Sequence, residues 1–341
     1  MRIGVVGNEA CDADSIVSAI VFSEHLNYID SANNKFYGAF VQCSEDQLKD
    51  RLDFAEILSI AGLSLAQITI RSIRDDVADI DSWILMDHHF PSPLFFRAVP
   101  RPKILRVLDH HPVITRESDL FLQGVEHEIR LVGSTCSLVA EKVDFFTLRR
   151  QSVLMLLLVI VLDTANLNSE VGIATDLDME MHKSLSIHLN LFSTEAYWNR
   201  LVKSKFSPSY WAGASSEKML SYDFKQVDCV GYSTVFVRID RLSATDVSEF
   251  AKSRKLRYVV VIGAYLPEKQ SADSLPNREL LVFSEDSRSL ALIHKSLIAK
   301  ISLHQILEES SWSTLRYRVP DRGLSRKKFI PVFSMILRDL S

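Results

Sequence analysis

The chain has no apolar run long enough to cross a bilayer. Its longest, Val153 to Leu162, has ten residues, about half of the ~20 that a spanning helix needs. It is also poor in cysteine: Cys11, Cys43, Cys136 and Cys229 are the only four in 341 residues, with no CxxC spacing. That excludes a disulfide-stapled scaffold and places the chain in a reducing setting. No internal repeat and no low-complexity tract is visible. With 47% hydrophobic and 24% charged residues, the composition excludes a disordered or collagen-like chain. Met1-Arg2-Ile3-Gly4-Val5-Val6-Gly7 enters a strand-like run at once, so no signal or transit peptide is expected. The expectation is a cytoplasmic protein of roughly two domains, without membrane contact.

The net charge of −4 conceals an asymmetry. Residues 1–190 carry 16 Lys and Arg against 27 Asp and Glu, a formal −11, and eight of the ten histidines. The remainder carries 23 against 16, a formal +7. An acidic, histidine-containing half can hold cations and a basic half can hold an anion, although uneven surface charge would give the same arithmetic.

The first half alternates strand and helix patterns as a parallel α/β sheet requires. Strands are predicted at Ile3–Val6, Phe36–Val41, Trp83–Met86 and Ile104–Leu108. Helices are predicted at Asp14–Leu26, Gln47–Ala61, Thr135–Phe146, Gln151–Leu162 and Asp176–His188. The charge balance changes sign near 190–195, giving domains 1–190 and 195–341. The second reads as a smaller α+β domain, with strands at Asp223–Cys229, Ser233–Ile239, Tyr258–Ile262 and Glu279–Phe283 and helices at Thr245–Ser253 and Leu290–Ile301.

Acidic and histidine clusters fall where these elements end, and ligands of open α/β sheets bind at the carboxyl ends of strands. Gly7-Asn8-Glu9-Ala10-Cys11-Asp12-Ala13-Asp14-Ser15 follows the first strand. Asp12 and Asp14 can point to one side of an extended turn; the plainer alternative makes Asp14 a helix N-cap and Asp12 a solvated loop residue. Asp87-His88-His89 and Asp109-His110-His111-Pro112 each follow an apolar strand. Two Asp-His-His triplets at two strand ends suit a divalent transition metal or Mg²⁺, because they mix carboxylate with imidazole. Asp163 ends an apolar helix, where the macrodipole opposes a carboxylate by about 0.3–1 kcal/mol, which favours a cation partner. In the basic half, Ser325-Arg326-Lys327-Lys328 has phosphate-binding chemistry, with a solvated basic face as the alternative. Ser253-Arg254-Lys255 repeats three of those letters at an ordinary helix end, and Asp223-Phe224-Lys225 opens a strand.

Together these motifs resemble the DHH phosphoesterase superfamily, in the branch with a DHHA2 C-terminal domain: cytosolic exopolyphosphatases, prune-like proteins and, more distantly, family II inorganic pyrophosphatases. The resemblance spans nearly the whole chain in motif order. It implies that Asp12 and Asp14 each bind one of two divalent ions and that Asp87 bridges them. It implies further that His110 ligates the second ion together with Asp163, and that His111 contacts phosphate. Asp87, His110 and His111 would then carry catalysis, and Lys225, Arg326 and Lys327 would grip phosphates. His88 and His89 are assigned to phosphate contact. Asn8 stands where the pyrophosphatases carry His and offers at best a hard oxygen, so the expected metal is Mg²⁺, with Mn²⁺ or Co²⁺ open. Asn8 is grouped with the substrate contacts.

The implied activity is metal-assisted, in-line hydrolysis of the terminal phosphoanhydride of polyphosphate, held between an acidic metal domain and a basic clamp. Alternatives are an inorganic pyrophosphatase, a prune-like short-chain polyphosphatase or cyclic nucleotide phosphodiesterase, and a non-catalytic interaction protein. The Gly-Gly-Gly-His motif of the oligonucleotide-cleaving relatives is absent, so no nucleic acid polymer is expected as partner, and the expected state is a monomer.

Overall fold

A computed structural model of the chain describes residues 1–75, 77–113, 116–267, 275–301, 303–305 and 313–340. It divides into two units, Met1–Lys205 and Phe206–Ser341.

The first unit is built on a six-stranded parallel sheet. Its strands are β1 (Arg2–Val6), β2 (Phe36–Val41), β3 (Arg71–Ser72), β4 (Ser82–Met86), β5 (Ile104–Asp109) and β6 (Glu126–Ile129), in the order β3-β2-β1-β4-β5-β6. The chain builds outward from β1 through β2 and β3, then returns to β4 and builds the other way. The carboxyl ends of β1 and β4 therefore flank the switch point, where such sheets bind ligands. Helices cover the sheet because parallel strands need crossovers. Helix Ala13–Ile29 buries nearly all of its first four turns, and Arg150–Asp163 is buried from Ser152 to Leu162 except at Leu154. A helix apolar all round belongs inside a core, and this one packs against Ala13–Ile29, Asp176–Leu189 and Glu195–Lys205.

Two predicted helices are shorter than their apolar patterns. Gln47–Ala61 is in fact two, Glu45–Lys49 and Leu52–Ile60. The chain breaks at Arg51, whose backbone is extended and whose guanidinium turns inward to donate to the Ala10 carbonyl. Thr135–Phe146 stops at Lys142, where Val143 turns extended and Asp144 caps a short turn by accepting the Phe146 N–H at 3.0 Å. Such local side-chain bonds compete with continued helix.

The second unit is α+β. Its sheet runs β11-β12-β10-β9-β8-β7, with β7 Asp223–Val227, β8 Val230–Val235, β9 Tyr258–Tyr265, β10 Asn277–Phe283, β11 His304–Gln305 and β12 Thr314–Val319. Among the described residues, only β8 and β9 pair in parallel. Sequence reading missed β12 and the terminal helix Arg326–Leu340. The basic run 326–328 is that helix's first turn, and Phe329 and Phe333, one turn apart, are fully buried. No helix among the described residues is long and apolar enough to cross a membrane.

Candidate metal centre

The parallel order brings three loops together that lie far apart in sequence. Asn8 follows β1, Asp87 follows β4, and Asp109 closes β5, and all three side chains are almost completely buried. Asp87 has φ +62°, a left-handed conformation that Asp tolerates better than most residues. Its N–H donates to the Leu108 carbonyl at 2.9 Å, tying the ends of β4 and β5. Its carboxylate is shared. Oδ2 accepts from Asn8 Nδ2 at 2.6 Å, and Oδ1 accepts from Thr135 Oγ1 at 3.0 Å. The Asn8 Oδ1 in turn accepts the Cys11 N–H at 3.1 Å, so this amide braces the loop and Asp87.

Asp14 is buried too, and its carboxylate meets the N-terminus of helix Thr135–Lys142. Oδ1 accepts from Ser134 Oγ at 2.7 Å and Cys136 N at 2.9 Å, and Oδ2 accepts from Thr135 N at 2.8 Å. A helix N-terminus favours an anion, so the site holds this carboxylate in a single orientation. The N-cap of its own helix is Asp12, whose Oδ1 accepts the Ser15 N–H at 3.1 Å. Capping therefore falls to Asp12 and not to Asp14. Asp12 is partly exposed. Burial, and then the charge of Asp14, push the Cys136 thiol up, with Asp163 adding to the same effect. Asp163 is the last residue of its helix and half-buried.

The histidines are ordered by Asp109. Burial alone would raise its pKa, but the charge and hydrogen bonding of His111, and then His89, outweigh burial and hold it well below the usual carboxylate range. As a carboxylate it can only accept, so each Nδ1–H donates: His111 to Oδ1 at 2.8 Å, His89 to Oδ2 at 2.5 Å. Asp109 thereby sets both tautomers. His88 stands apart, its Nδ1 directed at the Met86 carbonyl at 2.9 Å.

His110 carries the chemical argument. Its Nδ1–H donates to the Val132 carbonyl at 3.0 Å, and a carbonyl can only accept. Its other nitrogen, Nε2, then faces two carboxylate oxygens, Asp87 Oδ1 at 3.1 Å and Asp14 Oδ2 at 3.4 Å. Nε2 beside two buried carboxylates calls for a positive charge between them, supplied either by its own proton or by a metal ion. Asp87, His110 and His111 offer ligand atoms within 4.8 Å of one another, a cluster able to hold a metal ion. Imidazole with carboxylate suits Mn²⁺, Co²⁺, Zn²⁺ or Mg²⁺, so the residues fit a divalent ion. The hydroxyl and amide donors on Asp14 and Asp87 are the outer partners such a site requires.

Of the sequence candidates, Asn8, Asp14, Asp87, His110 and His111 are thus linked directly, and His89 joins through Asp109. Lys225, Arg326 and Lys327 belong to the second unit. Lys225 is half-buried on β7, and Arg326 donates through Nη1 to the Asp223 carbonyl at 2.9 Å and through Nη2 to Asp223 Oδ1. The side chain of Lys327 lies outside the described residues. Arg254 is structural. It closes helix Ala244–Ser253, donates to Glu217 at 2.7 Å and lies 3.9 Å from the Phe250 ring centre.

Sequence reading missed the Gly133–Cys136 turn, although Ser134 before a helix is a readable cap. It also missed Asp178, fully buried, which accepts from Gly133 N at 2.8 Å, Ser137 Oγ at 2.5 Å and Thr175 Oγ1 at 2.7 Å. A Cβ on Gly133 would lie 2.7 Å from Thr164 Cγ2 and 2.9 Å from Asp178 Oδ2. Gly133→Ala is therefore expected to destabilise by about 1–3 kcal/mol, read as a lowered urea midpoint. An unchanged midpoint would show that this turn has room.

Residues 2–162 match the DHH family, N-terminal domain. The chain is 26% identical over 364 residues to exopolyphosphatase PRUNE1 of Rattus norvegicus, an alignment covering 98% of this chain and 75% of the relative. It is 26% identical over 313 residues to the manganese-dependent inorganic pyrophosphatase of Methanocaldococcus jannaschii, covering 87% and 88%. The crystal structure of a Methanococcus jannaschii chain assigned to the family II inorganic pyrophosphatases has the same fold. It superposes with a TM-score of 0.67 at 20% identity, over 99% of this chain and 100% of that one. Over residues 2–162 the chain matches the N-terminal domain of the DHH family, and along nearly its whole length it is similar to the PRUNE1 exopolyphosphatases and, over most of it, to a manganese-dependent inorganic pyrophosphatase.

Proposed function

We propose that this chain is a divalent-metal-dependent exopolyphosphatase that releases orthophosphate from the end of linear polyphosphate, with Mg²⁺ as its ion. The observation that carries the metal is His110 Nε2, turned toward Asp14 and Asp87 with Nδ1 already committed. Asp14, Asp87 and His110 would hold the ion, with Asp12 and Asp163 completing a two-ion set. When bound, such ions supply Lewis acidity toward phosphoryl oxygen and lower the pKa of water.

The chain's own groups do the rest. Asp109 holds His89 and His111 by Nδ1, so that phosphate contact by either ring is through Nε2. Thr135 and Asn8 hold the Asp87 carboxylate from two sides, which keeps it from rotating away. Lys225, Arg326 and Lys327 supply positive charge for phosphates; the fork of Arg326 is held by Asp223 in the free protein, so a phosphate would take it over from that carboxylate.

The choice of polyphosphate over pyrophosphate rests on Asn8. Its amide is engaged with Asp87 and Cys11 and offers no imidazole. A pyrophosphatase is the second reading, supported by the Methanocaldococcus jannaschii relative. Phosphate release in Mg²⁺, followed colorimetrically, separates them. Tripolyphosphate should turn over faster than pyrophosphate. Pyrophosphate cleaved at least as fast would reverse the assignment.

A further inference from the structure

The second unit holds a cation that none of the basic motifs includes. Arg278 lies on β10, opposite Ala264 of β9 and Val319 of β12, inside the sheet and not at its edge. The next residue, Glu279, is buried on the other face, where its carboxylate accepts from Ile239 N and Tyr265 Oη, both at 3.0 Å. Strand alternation therefore puts Arg278 on the opposite face. There its Nε donates to the Arg322 carbonyl at 3.2 Å.

Two carboxylates are near enough for their charge to reach it, those of Asp223 and Asp321. Both are engaged elsewhere. Asp223 accepts from Arg326, and Asp321 Oδ1 accepts the Gly323 N–H at 2.8 Å. Among the described residues Arg278 makes no ion pair. Burial outweighs the two carboxylates and pulls its guanidinium down to about 10. Arg316, on β12, provides the contrast. It is buried where Arg278 is only half-buried, and its Nη1 and Nη2 donate to the carbonyls of Ile239 and Leu242 at 2.9 and 2.6 Å. That is how an arginine is used as a structural tie. Among the described residues Arg278 places one of its five donors on a carbonyl and neither Nη on a carboxylate. Asp223 links it to the expected phosphate contacts, because Arg326 grips Asp223 and Lys225 follows two residues later on the same face of β7.

We infer that Arg278 is an oxyanion-binding residue of the second unit and takes a phosphoryl group of a polyphosphate substrate in its planar fork. The identity of the anion rests on the function proposed above; the placement of Arg278 on β10 and its hydrogen bonding do not. An arginine suits this role better than a lysine, since two parallel N–H groups match two phosphoryl oxygens.

The test is binding without turnover. Full-length protein in EDTA is titrated calorimetrically with tripolyphosphate, comparing the parent with Arg278→Gln, Arg278→Lys and Arg254→Ala. Arg278→Gln should weaken binding about tenfold or more, and Arg278→Lys should recover only part of it. Arg254→Ala should stay within about threefold. Should Arg278→Gln not fold, Arg278→Lys decides, because parental affinity with a lysine would overturn the fork. Equal losses from Arg278→Gln and Arg254→Ala would overturn it too, since bulk charge would then explain the attraction. So would the absence of tripolyphosphate binding to the parent. If the binding contrast holds but no polyphosphate is hydrolysed in any divalent metal, the exopolyphosphatase reading fails and the anion site stands.

Discussion

Asp87→Asn is expected to lower phosphate release from tripolyphosphate by on the order of a thousandfold at saturating Mg²⁺, because it removes the charge on which the proposed ions converge. Asparagine is the informative substitution. The residue has φ +62°, which Asn tolerates and Ala does not, so the variant changes charge without adding backbone strain. The metal-free fold should persist. Asp87 stands at a strand end, and Asp14 lies close by on the same His110 nitrogen, so one fewer buried negative charge relieves repulsion. The clearest readout is thermal. Mg²⁺ or Mn²⁺ at about a hundred times its dissociation constant stabilises a folded protein by about 2.7 kcal/mol, and that shift should be present in the parent and absent in Asp87→Asn. Activity within about tenfold of the parent, with the shift retained, would remove Asp87 from the centre.

Arg326→Ala should reduce kcat/KM for tripolyphosphate by roughly ten- to a hundred-and-fiftyfold while leaving the metal-induced thermal shift intact. The range follows from a charge-assisted contact worth about 1.5–3 kcal/mol, made when phosphate takes over the Nη groups that Asp223 holds in the free protein. Arg326→Lys should recover it only in part, because a point charge does not reproduce the fork. The control is Arg254, whose surrounding letters are similar. It is fully used within the protein, by Glu217, Ser221 and the Phe250 ring, and Arg254→Ala should change kcat/KM by less than about threefold. Equal effects would mean that diffuse positive charge attracts the substrate and that residues 325–328 form no specific clamp. Arg326 also neutralises Asp223, so its loss should lower the unfolding temperature. Comparison of kcat/KM well below that temperature keeps the two effects apart.

Much of this protein was legible one residue at a time. Strand β4 and the Asp87 that follows it, strand β5 and Asp109, and the buried helix ending at Asp163 all rest on short-range patterns: an apolar run, its period and the polar residue that stops it. The family resemblance was visible for the same reason, since it consists of short motifs in order. Where tertiary contacts overrode local pattern, the reading failed. The apolar face of Gln47–Ala61 predicts one helix, yet Arg51 breaks it to reach the Ala10 carbonyl, a partner 41 residues away. Thr314–Val319 became a strand because β10 is there to pair with it. The partners within the site depended on tertiary structure most of all. That Asp14 is oriented by Ser134 and Cys136, 120 and 122 residues further on, could not be read from either segment. Nor could the two carboxylates that face His110 Nε2. Sequence determined which chemical groups the chain carries and on which kind of element each one stands. The parallel strand order decided which of them meet, because only it sets β1, β4 and β5 side by side and brings their carboxyl ends to one place.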